Sequence, residues 1–111
     1  MRVLFVCSEN RLRSPTAEKV FSGYAELETR SAGTNANCDN AVSRESLEWA
    51  DTVLVMEKSH RNKLTKRFRQ SLRNKKLVVL GIPDEFDYMD PLLIDMLFRK
   101  VPPLLGLRSR D

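Results

Sequence analysis

Two cysteines, Cys7 and Cys38, are all that the 111 residues contain. They give no disulfide framework, and no second pair exists to complete a zinc site. So sparing a use of cysteine fits a reducing cytoplasm, the compartment expected for this chain. Long apolar runs are missing too. The longest, such as Val3–Cys7 and Leu77–Leu80, hold five and four residues, where a membrane span needs about 20. The start does not read as a signal peptide, because Glu9, Arg11 and Arg13 follow only five apolar residues. No G-x-x-x-x-G-K-[ST] occurs, which excludes a nucleotide-hydrolysing phosphate loop. The one histidine, His60, has no carboxylate or cysteine at ligand spacing and reads as a surface or capping residue. The length leaves no room for a second catalytic domain, so residues 1–111 are expected to form one domain, with 107–111 a loose tail.

What the chain does have is charge, unevenly placed. Its net charge of +4 hides a segment from Lys58 to Lys76 with nine Lys/Arg residues and no acid. The remaining ten Lys/Arg residues face fifteen Asp/Glu, which makes the rest net −5. A bare basic face of this kind is a candidate dock for RNA or another polyanion, and otherwise a solvated surface.

Apolar runs alternate with helical patterns. Arg2–Cys7 has the composition of a buried parallel strand. Ser14-Pro15 predicts a helix start with a cap and a first-turn proline, followed by Ala17, Val20, Phe21 and Tyr24 at helical spacing. A second strand is expected at Glu28–Gly33, then a polar loop over residues 35–40. Ser43 caps a short helix that ends at Trp49, read as facing inward. Thr52–Met56 predicts a third strand, Lys58–Arg73 a helix with Leu64, Phe68 and Leu72 on one face, and Lys76–Ile82 a fourth strand. Asp90-Pro91 opens a last helix striped by Ile94, Leu97, Phe98 and Val101, and Pro102-Pro103 is expected to stop it. The repeating strand–helix order means α/β, a doubly wound parallel sheet with helices on both faces.

In such sheets ligands bind beyond the carboxyl ends of the strands, which directs attention to the segment from Cys7 to Pro15. A tight turn there aims backbone N–H groups and a helix N-terminus at one point, forming an anion cradle. The same field favours the thiolate of Cys7 as a nucleophile. Arg13 is suited to grip two oxygens of a tetrahedral oxyanion. The Ser14 hydroxyl is placed to donate to the sulfur, and Asn10 tolerates the left-handed backbone such a loop needs.

The segment Cys7, Asn10, Arg13, Ser14, Pro15, Ala17 and Glu18 resembles the signature of the low-molecular-weight protein tyrosine phosphatases, C-x-x-N-x-x-R-S-P followed by A-E. Ser31-Ala32-Gly33-Thr34 is similar to that family's S-A-G-T, and the run from Ala50 to Glu57 to its A-D-x-I-L-x-M-[DE]. The resemblance implies a flavodoxin-like four-stranded sheet of order 2-1-3-4 and a phosphate monoester hydrolase that works through a cysteinyl-phosphate. It implies a phosphate-binding loop of Ser8, Glu9, Asn10, Arg11, Leu12, Arg13 and Ser14, with Cys7 as nucleophile and Arg13 as the transition-state cation. No metal or cofactor is required. The expected substrate is a phosphorylated protein or small molecule.

The chain departs from the pattern in three places. The family's general acid lies in an Asp-Pro just beyond the last strand, but here Asp84 stands at that place without the proline and Asp90 has the proline six residues later. Asp84 is preferred and Asp90 is the alternative. Between Thr34 and Ser43 a substrate-wall loop and helix are missing, leaving Phe86, Tyr88 or Trp49 to stand in for the wall. Glu9 and Arg11 put charge into the loop, where Glu9 is expected to face solvent or pair with Arg11. Two further readings stay open: a phosphatase of nucleotides or nucleic acid ends, and a non-catalytic phosphate-binding module.

Overall fold

A computed structural model describes residues 1–107; the remainder of the expected tail, 108–111, lies outside the described residues. The chain runs β1 (Arg2–Cys7), α1 (Arg13–Phe21), β2 (Glu28–Gly33), α2 (Arg44–Trp49), β3 (Thr52–Val55), α3 (Lys58–Arg67), β4 (Lys76–Val79) and α4 (Pro91–Leu105). The four strands pair in parallel in the order β2-β1-β3-β4, as expected. No described helix is long and apolar enough to cross a membrane.

The apolar composition of β1 follows from its central place. Its side chains alternate between two cores. Val3, Phe5 and Cys7 join Phe21, Leu93, Leu97 and Val101 on the α1/α4 side. Leu4 and Val6 join Leu47, Val53, Val55 and Leu64 on the other. Phe21 packs parallel to Phe5, ring centres 5.7 Å apart, and takes the edge of Phe98 at 5.6 Å. The effect is to fix β1 from both faces, so that its carboxyl end, Cys7, is held rigidly.

Four local expectations are corrected. Helix α1 starts at Arg13 with Leu12 as its uncapped N-cap; Ser14 lies inside the first turn because its hydroxyl is turned to Cys7. Helix α3 stops at Arg67, where Phe68 leaves helical geometry (φ −129°, ψ 37°). Phe68 and Leu72 still reach the second core, but through turns. Helix α4 runs through Pro102-Pro103 and ends at Gly106, whose φ of 68° forms a left-handed cap. Both prolines fall in the final turns, where the missing N–H groups cost two bonds, while burial of Val101, Pro102 and Leu105 holds the helix in place. The inward reading of Trp49 holds only in part: it is half-buried and packs against the second core, while the Arg30 guanidinium lies 4.2 Å and that of Arg2 5.9 Å from its ring centre.

The β4 ladder ends at Val79, yet the chain stays tied to β3. Leu80 N–H donates to Val55 O at 2.8 Å and Ile82 N–H to Met56 O at 2.9 Å. These bonds deliver Asp84 to the same end of the sheet as Cys7.

Candidate active site

The loop after β1 is built against the end of β2. Thr34 N–H donates to Cys7 O and Asn35 N–H to Ser8 O, each at 2.9 Å. Gly33 lies opposite Cys7 in the ladder. A Cβ there would stand 2.7 Å from Ser8 O and 3.1 Å from Asn10 N, so only glycine allows this approach. Asn10 has the left-handed backbone expected of it, φ 58°. Its side chain joins two parts of the site, donating to Ser14 Oγ at 2.9 Å and accepting from Asn40 Nδ2 at 3.0 Å.

Cys7 Sγ and Ser14 Oγ are 2.9 Å apart and buried. Because Ser14 accepts from Asn10, its own proton has two acceptors in reach, the Cys7 sulfur at 2.9 Å and Ala32 O at 3.5 Å; given to the nearer sulfur, it stabilises a thiolate. Arg13 is 3% exposed at its side chain. Its Nη1 donates to Glu57 Oε2 at 2.6 Å and to Ile82 O at 2.8 Å. Those two acceptors come from the ends of β3 and β4, so the sheet itself orients the guanidinium. Asp84 Oδ1 lies 3.7 Å from Arg13 Nε, with its side chain 64% exposed.

Cys7, Ser8, Glu9, Arg11, Leu12, Arg13 and Asp84 line one cavity of about 100 Å³. Asn10 and Ser14 stand behind that lining as braces. Asp90 is placed elsewhere, accepting from Leu92 N–H at 2.9 Å as the cap of α4. None of Trp49, Phe86 and Tyr88 lines the cavity. Glu9 is exposed and takes a hydrogen bond from Asn35 Nδ2 at 2.6 Å; its partner is Asn35 and not Arg11. A second concavity, about 1080 Å³ between α2 and the end of α3, contains none of Cys7, Arg13 and Asp84. Among the described residues no cluster of three His, Cys, Asp or Glu is placed to hold a metal ion.

Residues 2–49, which include the cysteine, the loop and the arginine, match the family model of low molecular weight phosphotyrosine protein phosphatase. That segment is similar to this phosphatase family. The fold likeness extends over the whole length. A low molecular weight protein tyrosine phosphatase from T. tengcongensis is 24% identical, with a TM-score of 0.75 over 96% of this chain and 98% of that one. The YwlE arginine phosphatase from Geobacillus stearothermophilus is 23% identical, with a TM-score of 0.66 over 99% of each chain. The tyrosine phosphatase Wzb from Escherichia coli K30, solved with phosphate, is 18% identical, with a TM-score of 0.74 over 95% of this chain and 96% of that one. No curated protein sequence matches.

At this site the sequence did not point to two groups. Glu57 entered only as the last position of a motif, and its hold on Arg13 was invisible because 44 residues separate them. His60 is not a surface residue: it is 1% exposed. Its ring Nδ1 accepts from Glu57 N–H at 3.0 Å, and Nε2 lies 2.9 Å from Ser8 Oγ. Burial first, and the nearby Arg13 charge second, lower its pKa from 6.5 to about 4. Half of the sequence expectation, a capping role at the start of α3, holds. Cys38 is half-buried beneath the loop, its Sγ 2.6 Å from where a Gly33 Cβ would stand.

Proposed function

We propose that this chain is a cysteine-dependent phosphate monoester hydrolase with Cys7 as nucleophile. The observation that carries the reading is one small cavity in which the Cys7–Ser14 pair meets an arginine fixed on two acceptors. The Cys7 thiolate attacks phosphorus, an S–P bond forms, and the P–O bond to the leaving group breaks. Asp84 gives its proton to the departing oxygen, then takes one from the water that releases phosphate and regenerates the thiolate. Arg13 and the loop amides hold the equatorial oxygens throughout. Asp84 is preferred to Asp90 because it lines the cavity beside Arg13, whereas Asp90 caps α4.

The substrate is a phosphorylated protein or small molecule. No aromatic residue lines the cavity and two carboxylates, Glu9 and Asp84, do. This lining gives a phosphotyrosine ring no aromatic wall to stack on, which favours other phosphate monoesters. On the basic segment, Lys75 and Lys76 donate to backbone carbonyls and Arg67 to Thr34 O. Lys66 and Arg69 are exposed beside the large concavity and support docking of an anionic flank, whether acidic peptide or RNA.

Hydrolysis of a small aryl phosphate by wild type, Cys7→Ser and Asp84→Asn tests the core of this reading. Wild-type turnover that is lost in Cys7→Ser and slowed at least tenfold in Asp84→Asn is expected. A wild type that binds vanadate without turnover is a phosphate-binding module and not an enzyme.

A further inference from the structure

His60 has no part in the reaction just described, yet it is buried directly against the phosphate loop. The direction of its hydrogen bonds follows from chemistry. Glu57 N–H is a donor with no alternative, so the Nδ1 facing it at 3.0 Å carries a lone pair. The ring is neutral, its pKa lying at about 4 through burial and the Arg13 charge, and its proton is therefore on Nε2. That N–H donates to Ser8 Oγ at 2.9 Å. A hydroxyl that accepts from histidine keeps its own proton for another partner, and no other described residue takes it. Ser8 lines the cavity together with Cys7 and Arg13.

We propose that His60 is a positioning residue that locks the Ser8 hydroxyl as a proton donor to the anion bound over Cys7. Without His60 the hydroxyl is equally able to act as an acceptor toward water or a loop amide. With it, one lone pair is taken by the Nε2–H and the hydroxyl proton is turned away from the ring, free for donation, which an oxyanion rewards more than a neutral ligand does. The backbone path from Glu57 through His60 also places this device on the residue that grips Arg13. Two sides of the bound anion are thereby set from one turn at the start of α3.

The test compares Ser8→Ala, His60→Asn, the double variant and His60→Gln. Asparagine keeps an acceptor for Glu57 N–H and loses the donor to Ser8, whereas glutamine carries an amide N–H toward the Nε2 position. Affinity for inorganic phosphate by calorimetry and kcat/KM for an aryl phosphate are read with Tm for each protein. Ser8→Ala and His60→Asn are each expected to lose about tenfold in both measures. The double variant is expected to lose no more than either single one, and His60→Gln to recover part of the loss. Multiplying losses in the double variant would overturn the proposal, as would a His60→Asn protein with lowered Tm and wild-type phosphate affinity. Should His60→Asn fail to fold, unchanged phosphate affinity in Ser8→Ala overturns it alone. The kinetic arm rests on the phosphatase reading and the binding arm does not. A wild type that binds phosphate without hydrolysing it ends that reading, while the binding comparison still decides the role of His60.

Discussion

Arg13 holds a full positive charge with almost no exposure, so its acceptors decide where that charge points. Glu57 is the charged one, at 2.6 Å. Glu57→Gln should keep the side chain's shape and remove its charge, lowering kcat/KM by about 10- to 100-fold with a smaller loss of stability; steady-state kinetics and urea unfolding check both. His60 gives a pH prediction at the same scale. Its folded pKa of about 4 lies below its ordinary 6.5, so between those values the unfolded chain binds the extra proton. The stability from keeping the ring neutral is complete above pH 6.5 and is lost as pH falls toward 4, by up to about 3 kcal/mol. Urea unfolding at pH 7, 6 and 5 should therefore show a steeper decline in wild type than in His60→Asn. The grouping of Cys7, Asn10 and Ser14 was legible in the sequence because they are near neighbours in one loop. Glu57 and His60 were not, because each acts on a loop reached only through strand pairing.

Strand β2 shapes the site although it supplies none of the proposed catalytic groups. Gly33 lets its backbone touch Ser8 and Asn10, and Thr34 and Asn35 staple the loop. Gly33→Ala should push the loop aside and weaken vanadate binding at least tenfold, measured by competition against an aryl phosphate. A Gly106→Ala control, at the left-handed cap of α4, should cost about 1 kcal/mol and leave vanadate affinity unchanged. Strands β1 and β2 matched the sequence reading residue for residue, since their apolar content follows from burial. Helix ends were less legible. Ser14-Pro15 reads as a cap, but the buried thiol beside Ser14 competes for the hydroxyl. Pro102-Pro103 reads as a stop, but packing of Val101 and Leu105 outweighs two missing bonds.

Across the whole molecule the charges separate into a basic segment on α3 and the turns after it, and an acidic remainder. Charge reversal at Lys66 and Arg69 should raise KM for a phosphopeptide with an acidic flank several-fold and leave KM for a small aryl phosphate that has no flank unchanged. Added salt should produce the same selective loss in wild type. Arg67 is unsuitable for this test because it also holds Thr34 O. The parallel order and the side of the sheet that carries the site were legible in the strand–helix alternation. The shape of the substrate wall was not, because it depends on what a short polar loop leaves open. The central claim is that phosphorus passes through Cys7, and rapid acid quench followed by mass spectrometry of the Cys7 peptide tests it most directly. During turnover of an aryl phosphate by Asp84→Asn, whose second step is slowed, one phosphoryl group on Cys7 is predicted. Continued turnover with no adduct on Cys7, or undiminished turnover by Cys7→Ser, would contradict the account.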